Sequence, residues 1–138
     1  MDCSEGAPLL PGKEETLQNG LAERVNYKQG DFTTTATDVD SADIVTLDKV
    51  ICCYDDMSEL VRLSSKLARK IYAVIYPRDV WWTKLALPMM NFYPRLKGSS
   101  FRVFIHPTKK VEKIIFGNGL KRNYYATTLF WQVAIFTR

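Results

Sequence analysis

One histidine, His106, stands in the run Phe101-Arg102-Val103-Phe104-Ile105-His106-Pro107, between a strand-like apolar stretch and a helix start. An imidazole with an unperturbed pKa near neutrality can take a proton from an oxygen or nitrogen nucleophile, so His106 is the candidate general base. The plainer reading is a packed, structural histidine. Tyr76-Pro77-Arg78-Asp79 supplies a phenol, a guanidinium suited to gripping a substrate carboxylate through two parallel bonds, and an acid. The alternative there is a strand end followed by a solvated arginine and a helix cap at Asp79. Asp48-Lys49 places opposite charges directly after an apolar run. Cys52 and Cys53 have no histidine near them in sequence to activate a thiolate, so they read as small buried residues. Lys109, Lys110 and Lys113 read as one solvated helix face.

These groups need elements to position them. Ala42 to Leu47 is an apolar run that passes into a polar turn at Asp48. Met57, Leu60, Val61, Leu67 and Ala68 then recur at helical spacing, behind Asp55 or Asp56 as N-cap. Ile71 to Tyr76 is a β-branched and aromatic run ended by Pro77. Strand, helix, strand in that order is a βαβ unit with parallel, buried strands. Open parallel sheets bind ligands at the carboxyl ends of their strands, which is where Asp48-Lys49 and Tyr76 to Asp79 fall.

Upstream, residues 1–12 read as a disordered leader, and residues 13–138 as a single domain. Lys13 to Asn19 reads as a short helix stopped by Gly20, Arg24 to Gln29 as a strand, and Thr33 to Ser41 as loop or marginal helix. Downstream, Trp81, Trp82, Leu85, Ala86 and Leu87 suit a helix that Pro88 should kink or end, with a second apolar stretch from Met89 to Leu96. Its plain role is core packing; a lid, an oligomer contact or a membrane contact are the alternatives. Gly98 to Ser100 is a break, Pro107 opens a helix running to about Phe116, and two strands at about Leu120 to Tyr125 and Leu129 to Phe136 form an antiparallel pair.

The chain of 138 residues suffices for one real core. No apolar run approaches the ~20 residues of a membrane span, and the N-terminus lacks a secretory pattern. Three cysteines, an odd count, argue against a disulfide framework, and a reducing cytosol is the expected compartment. One histidine and no CxxC make a metal site unexpected. Residues 1–56 carry 12 acidic and 4 basic side chains, whereas residues 57–138 carry 3 acidic and 15 basic. The halves either face each other and water, or the basic half attracts an anionic partner.

Arg24 to Phe32, Ala42 to Asp56, Tyr76 to Trp82, Phe101 to Pro107 and Phe130 to Ala134 together resemble the class I S-adenosylmethionine-dependent methyltransferases. They are most similar to small bacterial enzymes near the magnesium-protoporphyrin O-methyltransferase group. The resemblance implies an α/β fold, a partial Rossmann-like sheet of the family's strands three to seven closed by a C-terminal antiparallel pair. It implies adenine recognition by Asp31, with Phe32 against the ring, and lining of the methionine and sulfonium end by Asp48, Lys49 and Val50. S-adenosylmethionine is the implied cofactor and a small-molecule methyl acceptor the implied partner, with Tyr76, Arg78 and His106 near the acceptor.

The family's first strand and its Gly-x-Gly-x-Gly turn have no counterpart, since Gly6, Gly12 and Gly20 follow no apolar strand. The first two strands are therefore expected to be absent, as in an N-terminally truncated methyltransferase. By itself such a chain is expected to bind cofactor weakly or not at all, and to be inactive or weakly active. A homo-oligomer or a partner chain completing the sheet would be an alternative to catalysis, as a module docking through its sheet edge and tryptophan-rich helix. Nucleic-acid binding and a transmembrane segment are not expected.

Overall fold

The computed structural model of the chain describes residues 15–28, 30–96 and 103–138. The expected leader at 1–12, the break at Gly98 to Ser100, and Phe101 and Arg102 of the His106 run lie outside the described residues. A short helical turn over 15–18 ends at Gly20, whose φ of 65° lies in the left-handed region that glycine adopts freely. Asp31 then caps α1 (Phe32–Thr35) by accepting a bond from the Thr33 N–H at 2.9 Å.

The expected strand at Arg24 to Gln29 does not form. Ala22–Arg24 is a 3-10 turn and residues 25–28 have no regular structure, while Gln29 lies outside the described residues. The Val25/Tyr27 alternation is a local signal, but a strand exists only when a neighbouring backbone takes its N–H and C=O groups. No such neighbour is present among the described residues, so the described sheet has four strands.

Those strands are β1 (Ala42–Asp48), β2 (Ala68–Pro77), β3 (Lys121–Thr127) and β4 (Trp131–Thr137), in the spatial order β1-β2-β4-β3. β1 and β2 are parallel, with Leu47 opposite Val74 and Asp48 opposite Ile75. Parallel neighbours need a crossover, and α2 (Met57–Leu67) supplies it. Asp56 starts α2 by accepting the Glu59 N–H at 3.1 Å, as its position predicts. β4 lies antiparallel to both β2 and β3. The β3–β4 turn closes through Thr128 N–H to the Trp131 carbonyl at 2.8 Å.

Burial alternates along β2 and β4. Tyr72, Val74 and Tyr76 are buried with Gln132, Ala134 and Phe136, whereas Ile71, Ala73, Ile75, Val133 and Ile135 are only half-buried. The buried set faces α2 and α4 (Thr108–Gly117), which contribute Met57, Leu60, Val61, Val111 and Ile115 to one core. Two polar ties lock the helices there. Ser64 Oγ and the Tyr72 hydroxyl lie 2.7 Å apart, and Asn118, just past α4, donates to the Arg62 carbonyl at 3.0 Å and Ser65 Oγ at 2.7 Å. Asp43 pairs with both Arg69 and Lys70, which joins an acid of the N-terminal part to bases of the C-terminal part.

α3 (Trp81–Leu96) runs without interruption through Pro88 and Pro94, so Pro88 does not end it. The expectation of core packing for this helix is also corrected. Thr83 is buried, but Trp81, Leu85, Met89, Phe92 and Leu96 are largely exposed.

Candidate functional site

The carboxyl ends of β1 and β2 gather the candidate residues into two groups. The first is built on Asp31 and Tyr54. The Tyr54 hydroxyl donates a short bond to Asp31 Oδ1, which also accepts from the Thr33 N–H and from the Thr33 hydroxyl at 2.8 Å. The Tyr54 and Thr33 hydroxyls are themselves 2.9 Å apart. All of these bonds from donors fall on one carboxylate oxygen, and Oδ2 takes none of them. The Tyr54 hydroxyl first, then Thr33, holds the Asp31 carboxyl below the ordinary carboxylate value, so Asp31 is an anion at neutral pH. Burial, and then the Asp31 anion, push the Tyr54 phenol upward, which keeps it a donor. Phe32 packs against the apolar core, as Val50 does.

His106 hangs on the same tyrosine. Its Nε2–H donates to the Tyr54 carbonyl at 3.0 Å, since a carbonyl oxygen only accepts. The ring stacks on Phe104, with centroids 6.0 Å apart, and the Phe104 N–H donates to the Cys52 carbonyl at 2.6 Å. Residues 103–107 thus clip onto the 3-10 turn Ile51–Cys53 that follows β1. Asn91 of α3 holds the other end, bonding both the N–H and the carbonyl of Val103 at 2.9 and 3.0 Å. Burial pushes the His106 pKa down, opposed by the carbonyls of Tyr54 and Ile51, and so favours the neutral ring. In that state Nδ1 is the basic nitrogen.

The second group lies beyond β1 on the sheet face that neither α2 nor α4 covers. Asp48 is the last residue of β1 and is exposed. Lys49 has φ of 57°, a left-handed conformation that costs a side-chain-bearing residue about 1–2 kcal/mol. It is held there by its N–H, which donates to the Ile75 carbonyl at 2.9 Å, and by the thiol of Cys52 on its own carbonyl at 3.1 Å. The Lys49 ammonium sits 5.4 Å from the centre of the Trp131 ring. It therefore points toward β4. Val50 is half-buried under the same turn.

Tyr76 and Arg78 are placed differently from the acceptor positions that their spacing suggests. Tyr76 is buried at 1% exposure on the helix-covered face, beside Thr108 and Glu112 of α4, and burial pushes its phenol far above the usual range. Next to it, buried Gln132 donates to the Pro77 carbonyl at 3.0 Å and to Thr108 at 2.9 Å, and accepts from the Tyr125 hydroxyl at 2.9 Å. Arg78 donates from Nη1 to the Thr128 carbonyl at 3.2 Å, which fastens β2 to the β3–β4 turn. Asp79 pairs with Lys84 at 2.7 Å. Cys52 is buried, as expected, and burial pushes its thiol pKa up. Among the described residues no cluster of His, Cys, Asp and Glu could hold a metal ion.

Tyr54 was not legible as a site residue. Its only sequence cue is its place six residues beyond the end of β1; what makes it central is contact with residues 23 and 52 positions away.

The strand order and this crossover decide the fold. The chain has the class I methyltransferase fold. Magnesium protoporphyrin IX methyltransferase from Synechocystis PCC 6803, solved with SAH bound, matches with a TM-score of 0.65 and 15% identity over 91% of this chain. An O-methyltransferase family protein from Burkholderia thailandensis matches with a TM-score of 0.71 and 15% identity over 92% of this chain. An O-methyltransferase family 2 protein from Planctomyces limnophilus DSM 3776, in complex with apigenin, matches with a TM-score of 0.65 and 17% identity over 91%. The chain spans 58%, 40% and 38% of the lengths of these three proteins. No protein-family model and no curated protein matches the sequence. Within the methyltransferase fold, β1, β2, β3 and β4 take the places of the family's strands four, five, six and seven. The Asp48–Lys49 turn lies at the carboxyl end of β1, and Tyr54, with Asp31 bonded to it, follows six residues on.

Proposed function

We propose that the chain forms the strand-four to strand-seven part of an S-adenosylmethionine-dependent methyltransferase acting on a small-molecule acceptor. The observation that carries this reading is the Asp31 carboxylate: kept ionised by Tyr54 and Thr33, with Oδ2 outside those bonds, at the end of the sheet. Such an oxygen suits an exocyclic adenine amine. Asp48 is an exposed anion at the end of β1, suited to a sulfonium, and the neighbouring Lys49 ammonium is engaged by Trp131. The residues present thus fit the adenine and sulfonium ends of the cofactor. Among the described residues no acid and no glycine-rich turn fits its ribose end.

When bound, S-adenosylmethionine supplies an activated methyl group. The chain's own contribution is then orientation more than proton transfer. Among the described residues His106 is the group this reading assigns as proton acceptor, at Nδ1, because Nε2 is committed to the Tyr54 carbonyl. Residues 103–107, held between Asn91 and Cys52, form the wall that sets where that nitrogen lies.

The test is a nitrogen-15 NMR titration of the full chain with S-adenosylhomocysteine into the millimolar range. Shift changes centred on Asp31, Phe32 and Asp48 to Val50, weakened in Asp31→Asn, are expected. No change at those residues at saturating ligand refutes the assignment.

A further inference from the structure

α3 presents Trp81, Leu85, Met89, Phe92 and Leu96 to solvent at 77%, 73%, 80%, 61% and 70% exposure. At ~100° per residue the five fall within an arc of about 80°, a stripe ~22 Å long at 1.5 Å per residue. The stripe does not reflect a loosely held helix. Thr83, about 160° around the helix from the centre of the stripe, is buried, and its hydroxyl bonds the Arg78 and Val80 carbonyls, both at 2.7 Å. Trp82 packs edge-on against Phe130 with centroids 5.1 Å apart, and Asn91 clasps Val103. The helix is thus fastened to the residues after β2, to the β3–β4 turn and to residues 103–107, with its apolar stripe left open. Scaled by their exposures, the five side chains offer roughly 700 Å² of apolar surface, above the ~300–600 Å² of the largest patch on a typical monomer.

The stripe matches a second copy of itself in spacing, symmetry and area. Leu85, Met89, Phe92 and Leu96 recur at four, three and four residues. That is the alternation of a two-helix seam, whose apolar positions repeat every seven residues. An antiparallel pair about a two-fold axis between positions 88 and 89 sets Trp81 against the partner's Leu96 and Leu85 against the partner's Phe92. Met89 then lies beside the partner's Met89. Each large ring meets a leucine, the same patch serves both copies, and the helix dipoles oppose. Two such stripes bury roughly 1,400 Å², within the ~1,200–2,000 Å² of a stable specific interface. Aromatic residues and methionine are the types enriched at the centre of such interfaces. Among the described side chains of α3 the one ionised group, Lys84, is paired with Asp79 at 2.7 Å, so no unpaired charge stands against the contact.

We propose that the α3 stripe is the interface of a two-fold homodimer, in which the helices of two copies pack antiparallel through Trp81, Leu85, Met89, Phe92 and Leu96. The pairing buries side chains that the monomer leaves in water, and it does so without moving Thr83, Trp82 or Asn91 from the contacts that hold the helix.

Light scattering behind size exclusion, on the full 138-residue chain from micromolar to millimolar concentration, tests this. Expected is a rise to twice the chain mass. Leu85→Glu with Met89→Glu raises the dissociation constant about a hundredfold or more, because each dimer then carries four carboxylates in an apolar seam. Both positions are over 70% exposed, so the circular dichroism spectrum of the double variant stays unchanged. Disulfide trapping reads the register. Under mild oxidation Met89→Cys forms covalent dimers beyond those of the parent chain. Trp81→Cys does not, because the antiparallel pairing holds the two copies of position 81 ~22 Å apart along the helix. A chain that stays monomeric at millimolar concentration overturns the proposal, including one that sediments with lipid vesicles instead. A dimer that the double variant leaves intact also overturns it, as does equal trapping at positions 81 and 89.

Discussion

Replacing Tyr54 by Phe removes one oxygen and leaves the ring to fill its nearly buried place, at 7% exposure. The lost hydroxyl donates to the Asp31 carboxylate and lies 2.9 Å from the Thr33 hydroxyl. A hydrogen bond to a charged group contributes about 1.5–3 kcal/mol net. Asp31 is only half-buried and keeps both Thr33 donors, so the lower part of that range applies, ~1–2 kcal/mol. For a chain of this length that lowers the Tm by roughly 3–8 °C. The pH dependence gives a sharper check. The carboxyl of Asp31 is held below its ordinary value in the folded state, so its stabilisation is complete above pH ~4 and fades as pH falls through the lower folded value. The difference between Tyr54→Phe and the parent should therefore be largest at pH 7 and shrink toward pH 3. Urea unfolding followed by circular dichroism at pH 7, 5 and 3 measures it. In an Asp31→Ala background the tyrosine substitution should lose at least half of its effect. A Tyr54→Phe cost that is absent at pH 7, or that is equal with and without Asp31, refutes the account of the site as a carboxylate held by Tyr54.

Gln132→Leu should cost about 1–3 kcal/mol in urea unfolding, because it takes the donor away from the Pro77 carbonyl and a polar partner from Thr108; a loss under ~0.5 kcal/mol would mean that the network contributes little. His106 is pushed down by burial, so folding resists its protonation: stability should fall as pH drops from ~6.5 through the lower folded value. His106→Gln should flatten the change in urea midpoint between pH 7.5 and 5.5, and an unchanged slope would count against the burial argument. At Lys49, whose φ is 57°, Gly should be more stable than Ala by ~1 kcal/mol, the reverse of the order at an ordinary strand end; thermal melts showing Ala at least as stable would contradict the left-handed geometry.

The sequence by itself determined the elements whose signals are local. Apolar runs at Ala42 to Leu47 and Ile71 to Tyr76 with a helical stripe between them could fold only as a parallel pair with a crossover, and Asp56 starts that helix where its carboxylate can reach the Glu59 N–H. The tight connection between β3 and β4 likewise left antiparallel pairing as the one option. The supposed strand at Arg24 to Gln29 shows the limit of that logic, since alternation cannot supply a neighbour for the backbone. α3 shows it again: apolar spacing reads the same whether a helix buries its stripe or displays it, and only the packing of Thr83, Trp82 and Asn91 decided which side faces out. The site was legible as an edge but not as an arrangement. Asp48 and Lys49 stand where the strand ends require, yet the turn of Lys49 toward Trp131 depends on β4, more than 80 residues away. The joining of Asp31, Tyr54 and His106 is likewise tertiary. Hydrogen bonds across 23 and 52 residues leave no periodic trace, because nothing in the chain repeats at that distance.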